Sequence, residues 1–224
     1  KLVAMQSNQH SKLFFNLKDK PLLPLFYNDS IDVCLKLVDT IISTGIRTIE
    51  FTNRGKNAKS NFASIVQHLG NNSDIELGVG SIKNEQEAKD FFHAGAKFIV
   101  SPFLDKSIGN FCCKNQIPWI PGCGTLSEIM EAENYGAEII KLFPGGVYGP
   151  NFISSVLGPC PWLKIMPTGG VTTEYDNMKK WMDSGAFCLG MGSKLFTKDL
   201  ILDENQNKLK INILEILKNL DSFK

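Results

Sequence analysis

Arginine is scarce in this chain: Arg47 and Arg54 are the only two among 24 basic residues. Arg54 closes the run Glu50-Phe-Thr-Asn-Arg54, where a carboxylate sits inside an apolar, strand-like stretch. A carboxylate in such a place is costly unless it is paired. One reading is a purely structural Glu50–Arg54 ion pair. The other is that a Lys-biased chain keeps a guanidinium here for its planar fork, which suits a carboxylate ligand. Lys141, in Ile139-Ile-Lys-Leu-Phe-Pro144, is flanked by apolar residues on both sides. Desolvation favours the neutral amine, and a neutral amine can attack a carbonyl. Structural pairing with Glu50 is the competing reading. Two glycine-rich turns complete the set, Pro167-Thr-Gly-Gly170 and Gly190-Met-Gly-Ser193. Their backbone N–H groups could cradle an anion, or the glycines could serve only tight turns with positive φ.

Other reactive side chains offer less. His10, His68 and His93 lie far apart and form no HxH or HxxxH pair, so no metal site is expected on them. The six cysteines contain no CxxC, which points to reduced, mostly buried thiols in a cytosolic protein. Cys123 has no histidine near it in the pattern and reads as a packing residue, as do Trp119, Trp162 and Trp181. The adjacent Cys112 and Cys113 suggest no function. The chain begins at Lys1 rather than Met, so residues are expected ahead of it, and 1–12 carry no signal-peptide hydrophobic region.

These residues need a scaffold. Short apolar runs at 22–27, 48–53, 75–80, 97–103, 119–122, 138–144, 164–169 and 187–192 alternate with helix-like stretches such as 31–44, 57–69, 84–94, 125–135 and 174–184. Thr125 followed by Glu128 reads as a capping box, and Gly45, Gly95, Gly136 and Gly185 read as helix stops. A phrase of helix end, glycine and strand entry recurs at 43–47, 93–97, 134–138 and 183–187. The runs recur about every 24 residues, which suits one βα unit. They do not alternate, so burial on both faces, and hence a parallel sheet, is expected. Eight such units predict an α/β fold of the (β/α)8 TIM-barrel class, one domain over 1–224. Residues 1–20 form a helical or extended lead-in and 206–222 the closing helix. An open doubly wound sheet would want a glycine loop after its first strand, and Tyr27-Asn-Asp-Ser30 has none. With 24 basic against 23 acidic residues, nucleic-acid binding by charge is not expected, and no apolar run is long enough to span a membrane. In a barrel, chemistry belongs at the C-terminal strand ends, where Glu50, Lys141 and the glycine turns fall.

Taken in order, the strand-end motifs resemble the class I aldolases that cleave 2-keto-3-deoxy-6-phosphogluconate and 4-hydroxy-2-oxoglutarate. The motifs are Glu50-x-Thr52-x-Arg54, Gly78-Val-Gly-Ser81, Ser101-Pro102, Pro121-Gly122 with Ser127-Glu128, Lys141-x-Phe-Pro144, Pro167-Thr-Gly-Gly170 and Gly192-Ser193. The resemblance implies that Lys141 is the Schiff-base lysine and Glu50 the general acid/base. It implies that Arg54 and Ser81 hold the pyruvoyl carboxylate and that Pro102 and Phe143 wall the pocket. Thr168 would contact the polar chain of the substrate, and Gly169, Gly170, Gly192 and Ser193 would form the phosphate site. A small-molecule 2-oxo acid substrate, a homotrimer and no metal or other cofactor are further implications. Two departures fall where the distal half of the substrate should bind. Strand one ends Leu25-Phe-Tyr27 where many relatives carry an arginine, and Gly145-Gly-Val-Tyr-Gly149 follows Pro144. Two other functions are open to the same residues: a phosphosugar isomerase or epimerase, and a barrel that only binds a phosphorylated ligand.

Overall fold

The structure is a computed structural model, and it describes residues 10–70 and 74–223. The fold is α/β, a curled parallel sheet with helices packed outside it. The strands are β1 (Leu22–Phe26), β2 (Thr48–Thr52), β3 (Glu76–Gly80), β4 (Ile99–Val100), β5 (Trp119–Ile120), β6 (Gly122–Cys123), β7 (Ile140–Leu142), β8 (Ile165–Pro167) and β9 (Leu189–Met191). Six of them hydrogen-bond in the order β5-β4-β3-β2-β1-β9, and three in the order β6-β7-β8. All pairings are parallel, as burial on both faces requires.

The expected run 119–122 is not one strand. Pro121 has no N–H to donate, and it divides β5 from β6, so among the described residues nine short strands stand where eight were expected. Between β8 and β9, Thr168 forms a parallel bridge to Gly190, and the Phe187 N–H donates to Ile165 O at 2.8 Å. The regular strands are also shorter than the apolar runs that announced them.

The helices follow their caps more closely. They include α1 (Lys12–Asp19), α2 (Ile31–Ser43), α3 (Ala58–Leu69), α4 (Glu85–His93), α5 (Lys106–Lys114) and α6 (Leu126–Asn134). After β7 come the single turn α7 (Gly145–Tyr148) and α8 (Pro150–Leu157), then α9 (Tyr175–Asp183) and α10 (Gln206–Asp221). The Thr125–Glu128 capping box forms in both directions. Gly45, Gly95, Gly136 and Gly185 all take positive φ just past their helices. The closing helix lies where expected, as α10. Of the lead-in, residues 1–9 lie outside the described residues; the rest contains α1.

Two apolar clusters organise the packing. The larger lies between the sheet and the outer helices. The smaller fills the inner side of the curl: Leu23, Phe98, Val100, Ile120, Ile139, Met166 and Cys188, joined by Leu13, Phe14 and Leu17 of α1. Helix α1 therefore covers the N-terminal strand ends. The Ser11 N–H donates to Glu138 Oε1 at 3.1 Å, and Lys12 Nζ lies 3.6 Å from Glu76 Oε1. The opposite, C-terminal end is left for chemistry. All six cysteines are free. Trp119 and Trp181 are buried, but Trp162 is 54% exposed and donates its indole N–H to Glu133, so it is not the packing residue expected. Among the described residues no helix is long and apolar enough to cross a membrane.

Candidate active site

Backbone pairing places Glu50 in the middle of β2, between Leu25 of β1 and Gly78 of β3. Across the curl, Lys141 sits in β7 between Gly122 of β6 and Met166 of β8. Glu50 is wholly buried and Lys141 is 5% exposed. Neither Glu50 carboxylate oxygen has a hydrogen-bond partner among the described residues. This speaks against a closed structural ion pair with Arg54 or with Lys141, which would saturate those oxygens.

Burial pushes the Glu50 carboxyl above its ordinary range, against the opposing charges of Lys141 and Arg54. Burial also holds the Lys141 amine below its ordinary range; the Arg54 charge adds to this and Glu50 opposes it. Both directions move the pair toward a neutral amine beside a carboxylic acid. Such a pair can add to a carbonyl and exchange protons with what forms. The Phe143 ring stands beside the amine, its centroid 5.2 Å from Lys141 Nζ.

Room for Glu50 is made by a missing side chain. A Cβ on Gly80 would stand 1.7 Å from Glu50 Oε1. In the same way, a Cβ on Gly190 would stand 2.3 Å from Thr168 Oγ1. That buried hydroxyl also has no partner among the described residues. Neither glycine has positive φ. They are spaces for side chains rather than turns, a role visible only once residues distant in sequence are brought together.

Arg54 donates from Nε to Ser81 Oγ at 3.2 Å, which leaves the two terminal nitrogens of its fork for another acceptor. Ser81 takes a left-handed φ of 61°, unusual for a residue with a Cβ and a form of strain often kept at functional sites. Pro102 lies in the turn after β4, pinned by Ser101 Oγ donating to Phe103 O at 2.8 Å. Ser101 in turn accepts the Trp119 indole N–H. A Cβ on Gly122 would meet Pro102 O at 2.3 Å. The sequence reading missed this Trp119–Ser101 support.

The glycine turns lie at the same end. Gly169 and Gly170 have φ of 80° and 78° and are exposed. The Gly145 N–H donates to Thr168 O, and a Cβ on Gly170 would stand 2.4 Å from Gly146 Cα, so the turns after β7 and β8 touch backbone to backbone. Gly192 faces Leu25 rather than needing positive φ. Ser193 is exposed in the following turn. Cys123 is buried, and its thiol is pushed up to about 12. Among the described residues no group of three or more His, Cys, Asp or Glu side chains converges to hold a metal ion.

A curled parallel sheet that buries a lysine and a carboxyl in its strands has the chemistry to process a carbonyl compound. Comparison with known proteins narrows this. The model of the KDPG and KHG aldolase family matches residues 15–212. A 2-dehydro-3-deoxy-phosphogluconate aldolase of Dickeya dadantii is 27% identical over 183 residues, 81% of this chain and 83% of that protein. A 2-dehydro-3-deoxy-6-phosphogalactonate aldolase of Escherichia coli is 26% identical over 177 residues, 79% of this chain and 84% of that protein. Among solved structures, a KDPG aldolase from Legionella pneumophila, with pyruvate captured as a covalent carbinolamine, superimposes with a TM-score of 0.82. Its identity is 22%, over 92% of this chain and 98% of that one. The chain belongs to the KDPG and KHG aldolase family and is an aldehyde-lyase.

Proposed function

We propose that this enzyme cleaves a 2-keto-3-deoxy-6-phospho-sugar acid, or 4-hydroxy-2-oxoglutarate, to pyruvate and an aldehyde such as glyceraldehyde 3-phosphate. The observation that carries this reading is the buried Lys141 amine, held below its ordinary pKa opposite a Glu50 carboxyl whose oxygens have no hydrogen-bond partner among the described residues. Lys141 Nζ adds to the C2 ketone, giving a carbinolamine of the kind captured in the Legionella relative; the Glu50 acid gives its proton to the departing hydroxyl, and loss of water leaves an iminium and a Glu50 carboxylate. Glu50, as carboxylate, takes the proton of the C4 hydroxyl. The C3–C4 bond breaks, its electrons pass into the iminium, and the aldehyde departs from a lysine-bound enamine. Glu50 returns its proton to C3, and water hydrolyses the resulting iminium to free pyruvate and restore the amine.

The remaining residues support this route. Arg54, steadied by Ser81, offers its fork to the substrate carboxylate. Pro102 and Phe143 wall the reacting carbon chain, and Thr168 Oγ1 is available to a substrate hydroxyl. A distal phosphate would lie in the turns of Gly169, Gly170, Gly192 and Ser193. The two sheets are arcs of one single-domain (β/α)8 barrel on this reading, which the Thr168–Gly190 bridge favours at one seam and the single residue Pro121 at the other. A cytoplasmic homotrimer acting without a cofactor completes the proposal, on the family resemblance and the six free cysteines.

Borohydride reduction in the presence of pyruvate tests the chemistry. One reduced pyruvate adduct per chain is expected on Lys141, read by peptide mass, and none on Lys141→Ala, which should fold but not turn over. An unmodified Lys141 in the wild-type protein refutes the mechanism and returns the isomerase and pure-binding readings. A pyruvate-detecting assay over phosphorylated and unphosphorylated 2-keto-3-deoxy acids then separates the substrates.

A further inference from the structure

The loop that carries Arg54 is tied to the loop after β1 by more contacts than a surface turn needs. The Tyr27 hydroxyl donates to Asp29 Oδ1 at 2.5 Å. Its ring lies against Phe51 of β2 with centroids 5.6 Å apart. Gly55 follows Arg54 directly, has no positive φ, and lacks a Cβ where one would stand 2.0 Å from the Tyr27 hydroxyl oxygen. That glycine is therefore a seat for the phenol.

Two asparagines reinforce the joint. Asn57 stands at the N-cap of α3, a position asparagine normally serves through its side chain, yet it makes no side-chain cap bond there. Its Nδ2 instead crosses to Asp29 O at 3.3 Å. Asn61, one turn on and buried, donates to Asn28 O at 3.0 Å and Asp29 O at 3.1 Å. Thr52 Oγ1 donates to Phe26 O at 3.3 Å, joining the strand ends just below. The phenol is held in its protonated form, first by burial and then by the Asp29 bond. The Asn57 and Asn61 bonds run from the start of α3 to the loop after β1, the Tyr27–Asp29 bond braces that loop within itself, and Gly55, packed against the phenol, adjoins Arg54, which contacts Ser81 on its other side.

We infer that Tyr27 is a positioning residue, which through Asp29 and Gly55 fixes the backbone that presents Arg54 and so sets the affinity for the 2-oxo acid carboxylate. The inference rests on the aldolase reading above. It assigns the side chain at the end of β1 to the carboxylate end of the substrate rather than the distal end.

The test titrates pyruvate against borohydride trapping. In Tyr27→Phe the pyruvate concentration for half-maximal adduct on Lys141 should rise about five- to tenfold, the scale of one weakened hydrogen bond to a charged group. Trapping at saturation should stay at one adduct per chain, and the melting temperature should stay near the wild-type value. With 4-hydroxy-2-oxoglutarate, KM should rise by a similar factor while kcat stays within about twofold. Gly55→Ala retains the Tyr27 hydroxyl but displaces it together with its ring, and it should give the same shift. Combined with Tyr27→Ala it should be no worse than Tyr27→Ala alone, because the collision is gone. An unchanged half-maximal concentration, a fall in kcat at constant KM, or additive effects of the two substitutions would each overturn the inference. Absence of any adduct in the wild-type protein refutes instead the aldolase mechanism on which it rests.

Discussion

Gly80 is the position where one methyl group should separate folding from catalysis. Its φ is ordinary, so the backbone accepts alanine, and in an isolated strand that change would be favourable by about 0.5–1 kcal/mol. Here the new Cβ would stand 1.7 Å from Glu50 Oε1, 2.5 Å from its Cδ and 2.9 Å from its Cγ. To reach ordinary contact the carboxylate must withdraw by about 1.7 Å, through a packed interior where overfilling costs about 1–3 kcal/mol. A catalytic group misplaced by about 1 Å can lose on the order of a hundredfold in rate. Gly80→Ala should therefore lower kcat about a hundredfold in a pyruvate-release assay. Borohydride trapping of added pyruvate on Lys141 should remain complete, because the amine is untouched. Urea unfolding should show a loss of about 1–3 kcal/mol, largely recovered in the double variant Glu50→Ala with Gly80→Ala, where the methyl fills the space left. A Gly80→Ala enzyme with wild-type kcat would show that the position of Glu50 over Gly80 has no bearing on turnover, and the acid/base assignment would fall.

Three further outcomes follow from the geometry. The folded-state pKa of Glu50 lies above its ordinary value of 4.5, so its contribution to stability is full below 4.5 and is lost as pH rises through the raised folded value. The melting temperature of Glu50→Gln relative to wild type should therefore climb as pH rises from 4 to 8, and a difference that shrinks over that range contradicts the assignment. Arg54→Lys keeps the charge but loses the fork held by Ser81, and KM for the oxo acid should rise about tenfold with little change in kcat. Leu17 of α1 is fully buried in the inner cluster, and Leu17→Ala should cost about 2–5 kcal/mol by urea titration while the turnover of the folded fraction is kept.

The helices were legible in the sequence because their signals are local. Thr125 and Glu128 are three residues apart, and each stop glycine adjoins the helix it ends. The strands were legible as apolar runs but not in their extent, since pairing ends where curvature or Pro121 interrupts it. Glu50, Arg54 and Lys141 stood out by type, because charge inside an apolar run demands an account. What stayed hidden depends on proximity between distant residues. Gly80 reads only as the last residue of an apolar run until Glu50 is found over it, and Ser81 reads as a substrate contact until Arg54 is found bonded to it. Trp162 was misjudged because an indole with one polar partner such as Glu133 can sit at the surface.

Helix α1 and the inner apolar cluster stop the N-terminal end of the sheet. Among the described residues this leaves the loops after the strands, at the opposite end, as the side from which substrate would approach Lys141 on the proposed route. On the proposed route pyruvate stays bonded to the lysine at the inner end while the aldehyde fragment lies toward the rim. The aldehyde, no longer bonded once C3–C4 breaks, departs first, and pyruvate follows only after hydrolysis. On that route the order of an ordered uni–bi reaction follows from the lysine bond, while α1 closes the end of the sheet that neither product would use.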